Sequence, residues 1–149
     1  MSYIFQILPA LLSGVKMTLG IFAITLIGSI PLGLILSVGL IPKPKSILGK
    51  AGKGLLEGYV WVFRGTPLLL QLMFIFYGLP IIGLVFDRFS AALVAFILNY
   101  AAYFAEIFRG GFGAIDEGQF EASTVLNMTR WQALRYVVIP QVVKIVLPS

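Results

Sequence analysis

The sequence predicts an all-α integral membrane protein with three complete transmembrane helices, the start of a fourth, and a helix-turn-helix outside the bilayer. Hydrophobic residues make up 59% of the 149 residues and charged residues only 11%, far from the balance of a soluble domain. Apolar stretches long enough to cross a bilayer recur along the chain. One polar stretch, residues 116–140, interrupts this pattern near the end of the chain.

The first predicted span covers residues 15–41. It is longer than the roughly 20 residues that a crossing requires, so tilt or a kink is expected, with Pro31 as the kink site. Ser29, Gly33 and Ser37 recur every four residues. Small residues at this spacing let helices approach closely in lipid, so we expect a helix-helix contact here.

Two less apolar segments flank this span. Residues 1–14 fit either an interfacial helix or a partly ordered leader into the span. Residues 42–57 contain four lysines and are predicted to be a solvated loop. The Gly-Lys pairs in that loop lack both the upstream glycine and the following Ser or Thr of a phosphate-binding P-loop. No ATP site is therefore expected in this chain.

The second predicted span covers residues 57–79, with a bend at residues 65–67 because proline removes a backbone hydrogen bond there. Arg64 and Gln71 lie seven residues apart, which places them on one helical face. A polar pair inside a span is costly unless it faces protein or water. Arg64 either takes part in such a pair or extends to the lipid headgroups.

The third predicted span covers residues 89–108. Asn99, Tyr103 and Glu106 share one helical stripe at i, i+4 and i+7 spacing. Glu106 can pair with Arg109 on the same helix or with Arg64 on the previous one. We expect a structural ion pair from Glu106 rather than a contact with substrate.

Positive charge is distributed unequally between the two ends of these spans. One end receives Lys16 and Arg88, whereas the other receives the four lysines of residues 42–57 and Arg64, Arg109, Arg130 and Arg135. The positive-inside rule places the second end in the cytoplasm and the N-terminus outside. The net charge of +5 is thus explained by membrane topology, and no nucleic-acid partner is expected.

The polar stretch at residues 116–140 predicts two short helices joined by a turn. Asp116 with Gln119, and Thr129 with Gln132, have the spacing of an N-cap and its reciprocal partner. Asn127 lies between them and readily adopts the left-handed conformation that ends a helix. The charge distribution places this element, within the loop at residues 109–136, in the cytoplasm. A fourth span is predicted to start near residue 137.

Three motifs resemble those of one family. They are FRGTPLLLQLMFIFYGLP from Phe63, NYAAYFAEIFRGG from Asn99, and EASTVLNMTRWQALRYVVIPQ from Glu121. The chain is similar to the membrane-spanning permease subunit of bacterial ATP-binding cassette importers of the polar amino acid type, the type I family with the EAA motif. Members of that family continue through two more spans, so we expect that the sequence ending at Ser149 is a partial record or comes from a truncated gene.

The resemblance implies a non-enzymatic permease that moves a polar amino acid across the bacterial cytoplasmic membrane. Residues 116–140 would be its coupling element. Glu121 would hold this element by charge and hydrogen bonds, and Ala122 with Ser123, where the family has a second alanine, would permit close approach. Asn127, where the family has glycine, would set the turn, and Trp131 would provide apolar contact. The candidates for lining the translocation path are Gln71, Tyr77, Asn99 and Tyr103.

The partners implied by the resemblance are two ATPase subunits, a second permease subunit, an extracytoplasmic solute-binding protein and membrane lipid. No cofactor is expected, since ATP would be used by the partner ATPase. The alternatives are a small self-contained channel or a membrane-embedded enzyme that uses Glu106 with Asp116 or Glu117. The enzyme is disfavoured because those carboxylates lie on different elements, and because a chain without histidine or cysteine offers few nucleophiles or metal ligands.

Overall fold

The computed structural model describes residues 2–41 and 46–148, with side chains described from residue 7 onward. The described chain is helical apart from short connections, so the predicted all-α class is confirmed. A π-helix at Phe74–Gly78 and a 3₁₀ helix at Leu79–Ile82 extend α3, and a π-helix at Leu134–Val138 joins α6 to α7. The α-helices are α1 Ser2–Leu40, α2 Ile47–Gly65, α3 Leu68–Met73, α4 Arg88–Gly113, α5 Glu117–Val125, α6 Arg130–Ala133 and α7 Ile139–Val146.

The central contact of the fold joins α1 to α4. A Cβ on Gly28 would lie 3.0 Å from the Ile97 side chain, and a Cβ on Gly33 would lie 2.5 Å from Phe104 Cβ. Ser29 and Ser37, on the same stripe as Gly33, are fully buried. The predicted close approach through small residues is therefore confirmed. Gly28 meets Ile97 and the later Gly33 meets the later Phe104, so α1 and α4 run parallel to each other.

The bounds of α1 differ from the predicted span at residues 15–41. The helix begins at Ser2 and passes through Pro9 and Pro31 without interruption. Residues 2–14 are thus the first turns of α1, and neither alternative predicted for them, a separate interfacial helix or a partly ordered leader, is correct.

The chain between α1 and α4 must return to the starting end because those two helices are parallel. Residues 68–82 make that return beside α4. Gln71 bonds to Asn99, and Ile75, one turn later, packs against Ala91 and Ala95. This segment is therefore antiparallel to α4. Of the described helices, α1 and α4 are long and apolar enough to cross a membrane, and a third crossing exists if α2 and the segment after it count as one span.

The predicted second span at residues 57–79 is broken where the sequence indicated, but the break is much larger than a kink. The axes of Ile47–Gly65 and Leu68–Ile82 differ by 108°. The predicted loop at residues 42–57 is also wrong from residue 47 onward, because α2 begins there; residues 42–45 lie outside the described residues. Ser46 starts this helix by accepting a hydrogen bond from the Gly49 amide at 3.1 Å.

Helix α4, which corresponds to the third predicted span, extends beyond the predicted residues 89–108 at both ends. Asp87 caps its start by accepting bonds from the Phe89 and Ser90 amides at 3.0 and 3.3 Å. Hydrogen bonds from Ser90 hold the pKa of the Asp87 carboxyl below its usual range. The 26 residues of α4 extend for about 39 Å, enough to cross a bilayer.

The last helical stretch returns alongside α4. Gly111 lies against Val142 and Val146, and Ile115 packs against Val138. The helix begins at Arg130, directly after the predicted N-cap Thr129. It continues through a π-helical turn into α7, so the fourth span predicted to start near residue 137 is continuous with that helix. Pro140 explains that turn, since it removes the amide that would donate to the Tyr136 carbonyl at the centre of the π-helix.

Replacing Gly33 with alanine is expected to destabilise the protein by about 1–3 kcal/mol, because the new methyl group would overlap Phe104 at the α1–α4 contact. Unfolding in detergent measures the loss. Gly20→Ala is the matched control, since no atom lies within 4 Å of its added Cβ. Equal stability of the two variants would contradict the close α1–α4 packing.

Candidate functional site

The break between α2 and α3 leaves a backbone carbonyl without its usual partner. In a continuous helix the amide of residue 67 would donate to the Phe63 carbonyl, but Pro67 has no amide hydrogen. Two side-chain amides replace it. Gln71 Nε2 donates to the Phe63 carbonyl at 2.9 Å, and Asn99 Nδ2 donates to the same oxygen at 3.0 Å.

The two amides also bind each other. Asn99 Nδ2 donates to Gln71 Oε1 at 3.0 Å, and Gln71 Nε2 donates to Thr66 Oγ1 at 2.8 Å. The Thr66 hydroxyl in turn donates to the Val62 carbonyl at 2.7 Å. Gln71 is 9% exposed and Asn99 is 4% exposed. Their polar groups are therefore satisfied inside an apolar environment, where unpaired groups would be costly.

A charged cavity of about 570 Å³ lies between the end of α1, α2 and the second half of α4. One carboxylate oxygen of Glu106 accepts a hydrogen bond from Arg109 Nε at 2.9 Å, and the other oxygen accepts one from Arg109 Nη2. Arg64 Nη1 lies 3.6 Å from Glu106 Oε1. Both predicted partners of Glu106 are thus present, with Arg109 the closer. No group of Asp, Glu, His and Cys suited to a metal ion occurs among the described residues.

The four path candidates do not converge on one surface. Gln71 and Asn99 are buried at the break, Tyr103 lines the cavity with the Arg64 guanidinium 5.5 Å from its ring centroid, and Tyr77 is exposed elsewhere. The expectation that Arg64 and Gln71 share one face is wrong, since the break turns them apart. A role for the four residues in a path stays a prediction.

The Phe63 carbonyl is the site group that the sequence interpretation missed. A signal for it was present: Pro67 lies four residues after Phe63, and Gln71 follows four residues after Pro67. The contribution of Asn99 from another helix had no such local signal.

The turn after α5 has the geometry predicted from Asn127. Asn127 has φ of 53°, in the left-handed region. Its amide donates to the Thr124 carbonyl at 2.9 Å, and the Met128 amide donates to the Ser123 carbonyl at 3.0 Å. These two bonds form a Schellman motif, which ends α5 and directs the chain into α6.

The two predicted capping pairs differ in outcome. Thr129 and Gln132 form the reciprocal capping box, with the Thr129 amide 2.8 Å from Gln132 Oε1. Asp116 caps α5 by accepting from the Gly118 amide at 2.7 Å, but Gln119 does not reciprocate. Gln119 Oε1 instead accepts a bond from Gln141 Nε2 at 3.1 Å. This bond ties α5 to α7, a contact that local sequence spacing could not indicate.

The hairpin formed by α5 and α6 presents large apolar side chains to its surroundings. Phe120, Leu126 and Trp131 are 47%, 73% and 66% exposed. Ser123 is buried and donates to the Gln119 carbonyl at 2.7 Å, whereas Ala122 is exposed. The Glu121 carboxylate is exposed and has no hydrogen-bond or ion-pair partner among the described residues, so its expected part in holding the element stays a prediction.

Comparison with known proteins identifies one family. The family described as "Binding-protein-dependent transport system inner membrane component" matches residues 29–149. The arginine transport system permease protein ArtQ of Bacillus subtilis (strain 168) is 39% identical over 143 residues, which are 95% of this chain and 63% of that protein. The glutamine transport system permease protein GlnP of Escherichia coli (strain K12) is 36% identical over 149 residues, which are 99% of this chain and 66% of that protein.

Solved structures share the fold. The "Crystal structure of an amino acid ABC transporter with histidines" matches with a TM-score of 0.84 and 37% identity, over 98% of this chain and 66% of that one. A MetNI methionine ABC transporter in an inward-facing conformation matches in fold, with a TM-score of 0.65 and 20% identity. The chain thus spans slightly less than two thirds of the length of the curated relatives ArtQ and GlnP.

Replacing Asn99 with leucine is expected to destabilise the protein by about 1–3 kcal/mol, because a donor to the Phe63 carbonyl and to Gln71 would be lost in a buried position. Unfolding in detergent gives the change. Gln141→Leu, which removes a more exposed amide bond, should change stability by no more than about 0.5 kcal/mol. An Asn99 variant as stable as the Gln141 variant would show that the break does not need these bonds.

Proposed function

Because the chain belongs to the family of binding-protein-dependent transport system inner membrane components, we propose that it is the permease subunit of an ATP-driven importer. The proposed cargo is a polar amino acid or a similar small solute, the class named for the relatives that carry arginine and glutamine. The chain is an inner-membrane protein. Hydrolysis of ATP would take place on a partner, since the sequence has no P-loop of its own.

The exposed hairpin of α5 and α6 is the observation that carries this proposal. Asp116 and Thr129 cap the starts of α5 and α6, and the left-handed turn at Asn127 sets the direction of the chain between them. The hairpin nevertheless leaves Phe120, Leu126 and Trp131 largely exposed. A capped helical hairpin with exposed aromatic and aliphatic side chains is suited to a groove on another protein. The proposed occupant of that role is an ATPase subunit.

A push on the hairpin can reach the broken helix through the contacts already described. The Gln119–Gln141 bond ties α5 to α7. Close packing at Gly111 ties α7 to α4, and Asn99 on α4 binds the carbonyl at the break. Movement of the ATPases would thus be transmitted to the residues that set the direction of the second crossing. This series of contacts is the proposed coupling route.

The complete importer would contain two ATPase subunits, a second permease subunit and an extracytoplasmic solute-binding protein. The proposed orientation has the N-terminus outside and the hairpin in the cytoplasm. Support comes from Arg109, Arg130 and Arg135, which lie at or beyond the C-terminal end of α4, where positive charge favours the cytoplasmic side.

The alternative of a membrane-embedded enzyme is disfavoured at two of its three candidate carboxylates. Glu106 is held by Arg109, and Asp116 is used as the cap of α5. A self-contained channel would leave the exposed hairpin without a function. Neither alternative is favoured by a described feature.

Substituting Asn127 tests the proposed docking role. Valine at this position is β-branched and poorly tolerated at φ of 53°, so Asn127→Val should misdirect the turn and weaken binding of the ATPase at least tenfold. Co-purification with the partner ATPase and solute-stimulated ATP hydrolysis are the measurements.

Asn127→Gly is the matched control, since glycine adopts positive φ without strain and should leave both readouts near wild type. Retention of ATPase binding and stimulation by the valine variant, with the protein still folded, would contradict the docking role.

A further inference from the structure

The charged cavity lies within the part of α4 that crosses the membrane. The Tyr59 hydroxyl of α2 donates to the Leu98 carbonyl at 2.6 Å, and Arg64 of the same helix lies 3.6 Å from Glu106. Gly113, the last residue of α4, lies about 10 Å farther along the helix than Glu106. Since α4 is long and apolar enough to cross a membrane, these charged groups lie inside the crossing rather than at its end.

Charged groups at this depth have to face water or protein, because an ionised side chain among acyl chains is costly. Three cations and two carboxylates line the cavity, namely Lys53, Arg64, Arg109, Glu57 and Glu106. The side chains of Arg64 and Arg109 remain 41% and 49% exposed. The cavity therefore opens to a space inside the membrane that is filled by water or by a partner protein.

Arg64 is a cation of this cavity with free hydrogen-bond donors. The Glu106 carboxylate is occupied by two hydrogen bonds from Arg109. Arg64 Nη1 lies 3.6 Å from Glu106 Oε1, too far for a hydrogen bond, and its guanidinium makes no hydrogen bond to any described residue. Its Cζ lies 5.5 Å from the ring centroid of Tyr103, so a cation–π contact holds the group in place. A guanidinium positioned in this way is suited to a planar carboxylate.

The size and the lining of the cavity also fit a small zwitterion. Its volume of about 570 Å³ is within the range of about 300–1,000 Å³ found for small-molecule sites. Trp61 and Tyr103 supply aromatic surface for a carbon chain. The Glu57 side chain is 60% exposed in the same cavity, so its carboxylate can accept a hydrogen bond from an ammonium group.

We propose that Arg64 binds the α-carboxylate of the carried amino acid in this cavity. The inference rests on the proposed function, since it takes the cargo to be an amino acid. The α-carboxylate is common to all amino acids. Arg64 would therefore bind the constant part of the cargo and leave the choice of its side chain to other residues.

A fluorine label tests whether an amino acid enters the cavity of the complete transporter. The sequence contains no cysteine, so Trp61→Cys and Leu55→Cys can each carry a trifluoromethyl group once partner cysteines are replaced. Both positions are 77% exposed on α2, but only Trp61 lines the cavity, so position 55 is the matched control. L-arginine or L-glutamine should shift the fluorine resonance at position 61 and leave that at position 55 unchanged.

The preference for a carboxylate tests the role of Arg64. The label at position 61 is titrated with the amino acid that shifts it and with the α-amide of that amino acid, below neutral pH, where both ammonium groups stay protonated. The wild-type cavity should bind the acid at least about tenfold more tightly than the amide, the effect of one charge-assisted hydrogen bond. Arg64→Gln should remove this preference by weakening binding of the acid alone, and Arg64→Lys should keep part of it.

Arg88→Gln makes the same charge change at the other end of α4 and should leave the preference for the acid intact. An Arg64→Gln variant that loses affinity for the acid and the amide equally would overturn the proposal, since a purely structural role gives that result. Equal affinity of the wild-type cavity for the acid and the amide would overturn it as well, whether or not the Arg64 variants fold.

Uptake by the reconstituted transporter separates this inference from the proposed function. Import of an amino acid together with an unchanged acid preference in Arg64→Gln would overturn the Arg64 site and leave the proposed function standing. A transporter that imports no amino acid would overturn both.

Discussion

The structure depends on the hydrogen bonds that the backbone carbonyl of Phe63 accepts. Pro67 removes the amide that would bind the Phe63 carbonyl, and in lipid such a group cannot be left unpaired without a cost of several kcal/mol. Gln71 and Asn99 supply the missing donors, one from the helix after the break and one from α4. Because the replacement bonds come from a different direction than a helical amide would, the chain can turn by 108° and still be satisfied.

Other features follow from this turn. Helix α4 provides the common surface, with small residues toward α1, Asn99 at the break, Glu106 at the cavity and Gly111 toward α7. The turn sets α2 across this surface, which opens the charged cavity on one side of it and leaves an apolar edge on the other. It also sends residues 68–82 back along α4. The proposed transport coupling therefore runs through α4, which contacts both the break and α7.

The sequence was informative where the determinants are local. Composition predicted the helical membrane class, the Ser29–Gly33–Ser37 spacing predicted the α1 contact, and Asn127 predicted a left-handed turn. The sequence did not predict hydrogen bonds whose two partners lie on distant elements of the chain. Pro67 located the break, but its angle depends on Asn99, 36 residues after Phe63. Similarly, Gln119 has the spacing of a capping residue yet binds Gln141, 22 residues away, because α7 returns beside α5.

A distance across the break tests the central claim most directly. Labels at positions 48 and 81, both on exposed residues, can be measured by double electron–electron resonance. With a rise of about 1.5 Å per residue, they lie about 30 Å apart across a 108° turn and about 50 Å apart along a straight helix. We expect a narrow distribution near the shorter distance, which broadens toward longer distances when Gln71 and Asn99 are both replaced by leucine. A distribution centred near the longer distance, or one that the double substitution leaves unchanged, would contradict the claim that these two amides hold the turn.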